Sequence, residues 1–146
     1  MIRILCAVAA LAVGATMVMA QNTAPITERQ NVMKTISDDA RTLGAMAKGD
    51  TPFDAAKAGA ILAGWEAGGK KFASLFPDDS KTGGKTRAKA DIWQNKADFE
   101  AKNADFIKAA TAAKAATSAE AFKASFSAIG KTCDGCHEKY RGPRVS

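Results

Sequence analysis

Histidine is nearly absent from this chain of 146 residues, and several other residues that carry protein chemistry are scarce. The sequence contains one histidine, three cysteines, one tyrosine and two tryptophans. So few cysteines exclude a disulfide-stapled scaffold, which needs several pairs at wide separations. The sequence also lacks a Gly-rich phosphate-binding motif and a cluster of carboxylates suited to a metal. No segment alternates apolar and polar residues with period two, so nothing in the sequence predicts a β-sheet.

The first twenty residues have the pattern of an export signal. Arg3 supplies a positive start, residues 4–15 form an apolar run, and Val18-Met19-Ala20 fits the small-residue cleavage rule. The apolar run is too short for a comfortable membrane span. We therefore expect residues 1–20 to be a cleaved secretory signal peptide and residues 21–146 to form one domain in the bacterial periplasm. The alternative is a retained membrane anchor.

The net charge of +6 comes from 21 basic and 15 acidic residues that are mixed along the chain. This mixing is unlike the basic arm of a nucleic-acid-binding protein. In a small exported protein, a basic total favours docking with acidic partner proteins. We expect no nucleic-acid partner and no stable membrane insertion.

Apolar residues at helical spacing, separated by turn residues, predict four helices. The first covers about residues 27–48, with Thr27 as its cap and Gly49 as its stop. The second begins at the turn 51–54 and continues to about residue 76, before a loop at 77–85. The third covers about 88–116, and the fourth about 119–141 with Ser118 as its N-cap.

The breaks between these helices are short to moderate, which makes sequential helices antiparallel neighbours. The predicted fold class is therefore all-α, an antiparallel up-down-up-down four-helix bundle. Many of its buried positions are alanine, so the core has less apolar volume than a leucine-rich core. Such a bundle has room for a large apolar prosthetic group.

The pattern Cys-x-x-Cys-His, the attachment signature of c-type haem, occupies residues 133–137. Residues three and four apart share a helical face, so Cys133, Cys136 and His137 point the same way. Two thioether bonds to haem c and one proximal imidazole ligand then come from a single face. The alternatives are a thioredoxin-like dithiol, which needs a βαβ scaffold, a zinc site, which needs four ligands, and a chance match. The same stripe continues through three side chains that would pack on the macrocycle: Phe126, Ile129 and Tyr140.

Because the chain has a single histidine, bis-histidine ligation of the iron is excluded. The sixth iron ligand is therefore methionine, lysine, water or nothing. Without the signal peptide, Met33 and Met46 are the two thioethers left. In the predicted bundle, the end of the fourth helix lies beside the start of the first, near Met33. Met46 lies about 20 Å further along the helix axis, at a rise of 1.5 Å per residue. Met33 is thus the expected thioether ligand, and an ordinary core methionine is the alternative.

Arg29 lies one turn before Met33 on the same helical face and is a candidate partner for a haem propionate. Gln30 beside it is a candidate for a further hydrogen bond. The alternative for Arg29 is a solvated surface arginine. With the only histidine bound to iron, no Ser/His/Asp or Cys/His nucleophilic arrangement remains, and we do not expect an enzyme.

The sequence resembles the class II c-type cytochromes, the family of cytochrome c′ and its low-spin methionine-ligated relatives. The run CDGCHEKYR at 133–141 resembles the family's haem helix, and RQNVMK at 29–34 resembles its first-helix signature. Leu75-Phe76-Pro77 and Ile92-Trp93 stand where such proteins have similar landmarks. The resemblance extends over essentially all of residues 21–146.

This resemblance implies a periplasmic four-helix bundle, often a homodimer through the first two helices, with one covalent haem c per chain. Cys133 and Cys136 would bind the haem, and His137 would be the axial ligand. By the same resemblance, a propionate would contact Arg29 and Gln30, and Met33 would occupy the distal position. The loop 80–85 would lie near the haem edge, with Lys85 standing where some relatives have a propionate partner.

We therefore expect an electron-transfer protein that exchanges electrons with periplasmic redox partners, its iron held by His137 and Met33. The alternative is a five-coordinate cytochrome c′ in which Met33 only shields the iron and nitric oxide or carbon monoxide binds. A helical module without haem would require the motif to be accidental. Basic residues near the haem helix are candidates for steering an acidic partner: Lys131, Lys139, Arg141 and Arg144. The alternative is that they only solvate the end of the helix.

Overall fold

The computed structural model describes residues 22–144, and the predicted signal peptide at 1–20 lies outside this range. Five α-helices follow one another in the described residues: α1 (Ala24–Lys48), α2 (Ala55–Ala73), α3 (Asp91–Gln94), α4 (Lys96–Ala113) and α5 (Ala119–Tyr140). A single 3-10 turn, Asp78–Ser80, lies in the connection between α2 and α3. In residues 22–144, the only extended pairing is an isolated antiparallel bridge between Ala88 and Arg141.

The four long helices close into a bundle. Helix α1 packs against α2 and α5, and α4 packs against the same two helices from the other side. This closed arrangement confirms the predicted all-α, up-down-up-down four-helix bundle. The C-terminal end of α5 therefore lies beside the N-terminal end of α1, as expected for antiparallel neighbours. No helix within residues 22–144 is long and apolar enough to cross a membrane.

The ends of α1 test two of the predicted boundaries. The helix begins at Ala24 with Thr23 as its N-cap, so the prediction that it starts at Thr27 is wrong by one turn. Pro25 lies in the first turn, where its missing N–H costs no hydrogen bond. The predicted stop at Gly49 is confirmed, because Gly49 adopts φ 83°, a left-handed conformation that glycine enters without strain.

The predicted third helix is not continuous. Asn95, at φ −126° and ψ 49°, leaves the helical conformation and separates α3 from α4. Helix α3 is held instead by Trp93, whose indole N–H donates to the carbonyls of Phe76 (3.1 Å) and Pro77 (3.3 Å). The prediction of one helix over 88–116 is wrong because this tertiary anchor overrides the helical periodicity. Helix α2 also ends earlier than predicted, at Ala73, so the connection to α3 is longer than 77–85.

Side-chain caps mark the starts of α2 and α5. The Asp54 carboxylate accepts from the amide of Lys57 at 2.9 Å, and the Ser118 hydroxyl accepts from the amide of Ala121 at 3.2 Å. The predicted N-cap at Ser118 is therefore confirmed. Each cap satisfies one of the unpaired amides in the first turn of its helix.

Close approach of α2 and α4 depends on a glycine. A Cβ placed on Gly69 would lie 2.7 Å from Cγ1 of Ile107, well inside van der Waals contact. Asn103 of α4 donates its side-chain amide to the Gly69 carbonyl at 3.0 Å. Gly69 thus lets the two helices approach more closely than any larger residue would allow.

Candidate haem site

One cavity of about 570 Å³ opens between the start of α1 and the end of α5. Its volume lies within the range of sites that hold a sizeable ligand. All six predicted site residues line it: Arg29, Gln30, Met33, Cys133, Cys136 and His137. Side chains separated by more than a hundred positions in the sequence therefore meet in one place.

The Cys-x-x-Cys-His motif lies within the last turns of α5. Both cysteines are half-buried, are not joined by a disulfide, and line the cavity together with His137. Phe126, Ile129 and Tyr140 share this face of the helix and line the same cavity, as the helical spacing predicts. The tyrosine ring is held from behind, because its hydroxyl donates to the carboxylate of Asp98 on α4.

Burial changes the acid–base behaviour of the motif. It raises the pKa of the Cys133 thiol and of the Cys136 thiol, because the thiolate loses solvation. Burial also lowers the pKa of His137, and the positive charges of Arg141 and Arg87 lower it further, against the opposing effect of Asp134. Neutral imidazole, the form that binds metals, is therefore favoured at His137.

Helix α1 supplies the facing wall. Met33 lines the cavity and packs against a buried, mostly aromatic cluster. The cluster contains Phe72, Phe76, Ile92, Phe99 and Tyr140. Met46, by contrast, is 5% exposed in the central core and does not line the cavity.

Arg29 is buried at the rim of the cavity, with 4% of its surface exposed. Its guanidinium donates to the hydroxyl and the carbonyl of Ser80 (3.2 and 2.9 Å), the hydroxyl of Thr86 (2.7 Å) and the carbonyl of Leu75 (3.3 Å). Its carbon Cζ lies 4.9 Å from the centre of the Phe76 ring. Burial lowers the pKa of this guanidinium. None of the ion pairs within residues 22–144 gives Arg29 a carboxylate partner.

The charges around the cavity have one sign. Four basic side chains line it, and none of the acidic residues within residues 22–144 does so. They are Arg29, Lys34, Arg87 and Arg141. Most of the remaining lining is aliphatic or aromatic. A buried cation without a carboxylate is costly, so such a cavity favours an occupant that is apolar in its body and anionic at its edge.

Haem c fits this set of residues. Its porphyrin is a flat apolar ring, which suits the apolar walls, and its two propionates suit the basic side chains that line the cavity, here called the cationic rim. The two thiols could bond to its vinyl groups, and the imidazole could bind its iron. The geometry does not support the alternative of a metal ion bound by protein side chains alone. Across residues 22–144, no three His, Cys, Asp or Glu side chains converge as such a site requires.

A second, shallower pocket of about 420 Å³ lies on the outer side of His137. It shares three residues with the main cavity, Arg87, His137 and Arg141, and it is also lined by Asp134 and Glu138. Both pockets therefore border His137.

Sequence reasoning missed Thr86 and Arg87, which line the cavity from the connection before α3. The resemblance placed a propionate partner at their neighbour Lys85, but Lys85 does not line the cavity. Its carbonyl instead accepts a hydrogen bond from the Gln30 side chain at 2.9 Å. No periodicity marks a residue in an irregular segment. The one signal available was the basic side chain of Arg87, three residues after the Gly83-Gly84 turn.

The bundle and its cavity together define a c-type haem protein of the four-helix-bundle class. A model of the family described as Cytochrome C′ matches residues 24–141. The chain belongs to this family of electron-transfer haem proteins, and haem c is its cofactor.

Individual relatives agree with this assignment. The chain is 37% identical to a cytochrome c′ of Rhodopseudomonas palustris over 120 residues, 82% of each chain. It is 35% identical to cytochrome c-556 of the same bacterium over 146 residues, 97% of each chain. Among solved structures, cytochrome c′ from Rhodopseudomonas palustris superposes with a TM-score of 0.80 at 34% identity, covering 85% of this chain and 100% of that one.

Proposed function

We propose that this chain is a periplasmic electron carrier whose haem iron has His137 and Met33 as axial ligands. The thiols of Cys133 and Cys136 attach the haem, and Arg29 and Gln30 lie at its propionates. The observation that carries the proposal is that Met33, on α1, lines the same cavity as the motif on α5. Met46, the other methionine within residues 22–144, lies in the core instead.

When bound, the haem supplies one-electron chemistry at its iron. The chain's own residues set the conditions for it. A thioether ligand from Met33 raises the reduction potential compared with a harder ligand. The apolar walls exclude water from the iron, and the cationic rim compensates the charge of the propionates.

Within residues 22–144, Arg29 has no carboxylate partner, and this supports the proposed contact between Arg29 and a propionate. Its hydrogen bonds within residues 22–144 go to carbonyls and hydroxyls, which leave the positive charge uncompensated. A propionate beside this guanidinium would supply the missing counter-charge. Gln30, whose amide already donates to the Lys85 carbonyl, would adjoin the same group.

The proposal includes export. Residues 1–20 would direct the chain to the periplasm and be removed, which leaves residues 21–146 as the mature protein. Its partners would be periplasmic redox proteins with acidic surfaces, since the chain is basic overall.

The test is the ferric absorption spectrum of two matched variants, Met33→Leu and Met46→Leu. Leucine keeps most of the volume and removes the sulfur, so each variant loses one thioether at little cost in packing. We expect the wild type to be low-spin with a methionine-to-iron charge-transfer band. Met33→Leu should lose this band, and Met46→Leu should keep it.

A high-spin wild type that is unchanged by Met33→Leu would contradict methionine ligation. That result would favour the alternative in which Met33 only shields a five-coordinate iron. The reduced protein would then bind carbon monoxide or nitric oxide without displacing a side chain.

A further inference from the structure

A short segment connects the two helices that carry the proposed axial ligands. We define the strap as residues 85–89, which lie between the 3-10 turn and α3. One end of the strap is bonded to α1, and the other end is bonded to the last turn of α5. Its middle residues, Thr86, Arg87 and Ala88, line the haem cavity.

At the α1 end, two side chains hold the strap. Arg29 donates to the Thr86 hydroxyl at 2.7 Å, and Gln30 donates to the Lys85 carbonyl at 2.9 Å. These donors lie one helical turn before Met33, on neighbouring positions of the same helix. Movement of the strap is therefore transmitted to the turn of α1 that bears the thioether.

At the α5 end, the strap pairs with the backbone just after the haem motif. The amide of Gly142 donates to the Arg87 carbonyl at 2.7 Å, and the amide of Lys89 donates to the Tyr140 carbonyl at 3.0 Å. The Arg87 side chain adds two bonds from Nε, to the carbonyls of Gly142 (2.9 Å) and Pro143 (3.1 Å). The bond from Lys89 satisfies the carbonyl of Tyr140, the last residue of α5, which has no partner within the helix.

We infer that the strap is a positioning element that fixes the separation of Met33 and His137, and so keeps methionine on the iron. This inference rests on the proposed function, because it presupposes that Met33 is a ligand. Direct packing of α1 on α5 sets the approximate spacing. The strap adds a bonded connection at the level of the ligands, where a small displacement breaks a weak iron–thioether bond.

Two strap variants test this inference, Thr86→Val and Arg87→Leu. The first removes the hydroxyl that accepts from Arg29 and from the amide of Ala88 (3.2 Å), with little change in shape. The second removes both Nε bonds to the chain after α5. The matched control is Ser118→Ala, which removes the N-cap of the same haem-bearing helix at its far end. Ser118 lies 19 residues before His137, about 28 Å along the helix axis.

The readout is the rate at which reduced holoprotein binds carbon monoxide, which requires Met33 to leave the iron first. Each strap variant loses two hydrogen bonds, which should speed binding by at least about fivefold. Ser118→Ala should bind carbon monoxide at the wild-type rate although it is less stable. In the Met33→Leu background the strap variants should have no effect, because no thioether remains to be positioned.

Amide hydrogen exchange gives a second readout that does not involve the iron. The Gly142 and Lys89 amides should exchange faster in Arg87→Leu than in the wild type, and Ser118→Ala should leave them unchanged. The inference is overturned if both strap variants bind carbon monoxide at the wild-type rate, or if their effect persists without Met33. A wild type that binds carbon monoxide as fast as Met33→Leu would instead refute methionine ligation itself, and the inference with it.

Discussion

Replacing Arg29 with methionine should destabilise the protein far more than its position near a helix start would imply. The side chain is 4% exposed and donates four hydrogen bonds to the connection between α2 and α3. Ser80, which receives two of them, is fully buried, so its carbonyl cannot recover a partner from water. A buried group left without its hydrogen bond costs about 1–3 kcal/mol.

The aromatic neighbours of Arg29 add a second contribution. Its Cζ lies 4.9 Å from the Phe76 ring centre and 5.8 Å from that of Trp93, and each cation–π contact contributes about 0.5–1 kcal/mol. Relief of the desolvated charge offsets part of the loss. We therefore expect a net cost of about 2–4 kcal/mol for Arg29→Met, which lowers Tm by about 10 °C in a domain of this size.

The assay is urea unfolding followed by circular dichroism, with Arg41→Met as the matched control. Arg41 lies on the same helix and pairs with Asp38 at 2.9 Å, but its side chain is 77% exposed. Exposed pairs of this kind contribute little, so the control should lose at most about 0.5 kcal/mol. Equal loss of stability in the two variants would refute the reasoning that Arg29 fastens the connection to α1.

Two further predictions concern the contact between α2 and α4. Lys114 and Lys70 hold the pKa of Glu66 at about 2, below its unfolded value near 4.5, so its stabilising effect is present above pH 4.5 and is lost as the pH falls towards 2. Glu66→Gln should therefore reduce the drop in Tm between pH 6 and pH 2, and an unchanged drop would contradict the assignment. Gly69→Ala should destabilise by about 1–2 kcal/mol in urea because its Cβ meets Ile107. Gly64→Ala, which meets nothing within 4 Å, should stabilise by about 0.5–1 kcal/mol, and a reversed order of the two would be incompatible with the packing described.

The fold was predictable from the sequence because its signals are local. Ser118 and Gly49 mark helix ends by their own chemistry, and the apolar spacing between such points identifies the long helices. The boundaries that were wrong depend on distant partners. The predicted third helix is interrupted at Asn95, and its first part is anchored by the indole of Trp93 on the carbonyls of Phe76 and Pro77, a contact that no local pattern encodes.

In the candidate site, too, the residues with local signals were predictable and those that depend on distant contacts were not. Cys133, Cys136 and His137 are predictable because their spacing on one helix is itself the chemistry. Met33 follows from one topological step, the antiparallel order of α1 and α5. Thr86 and Arg87 were missed because an irregular segment reaches the cavity only through its tertiary hydrogen bonds.

The measurement that tests the central claim most directly is the intact mass of the exported protein under denaturing conditions. Covalent haem through Cys133 and Cys136 predicts a coloured protein whose mass exceeds that of residues 21–146 by one haem. Both thiols should then resist alkylation. A colourless protein of unmodified mass, with both thiols open to alkylation, would contradict the account.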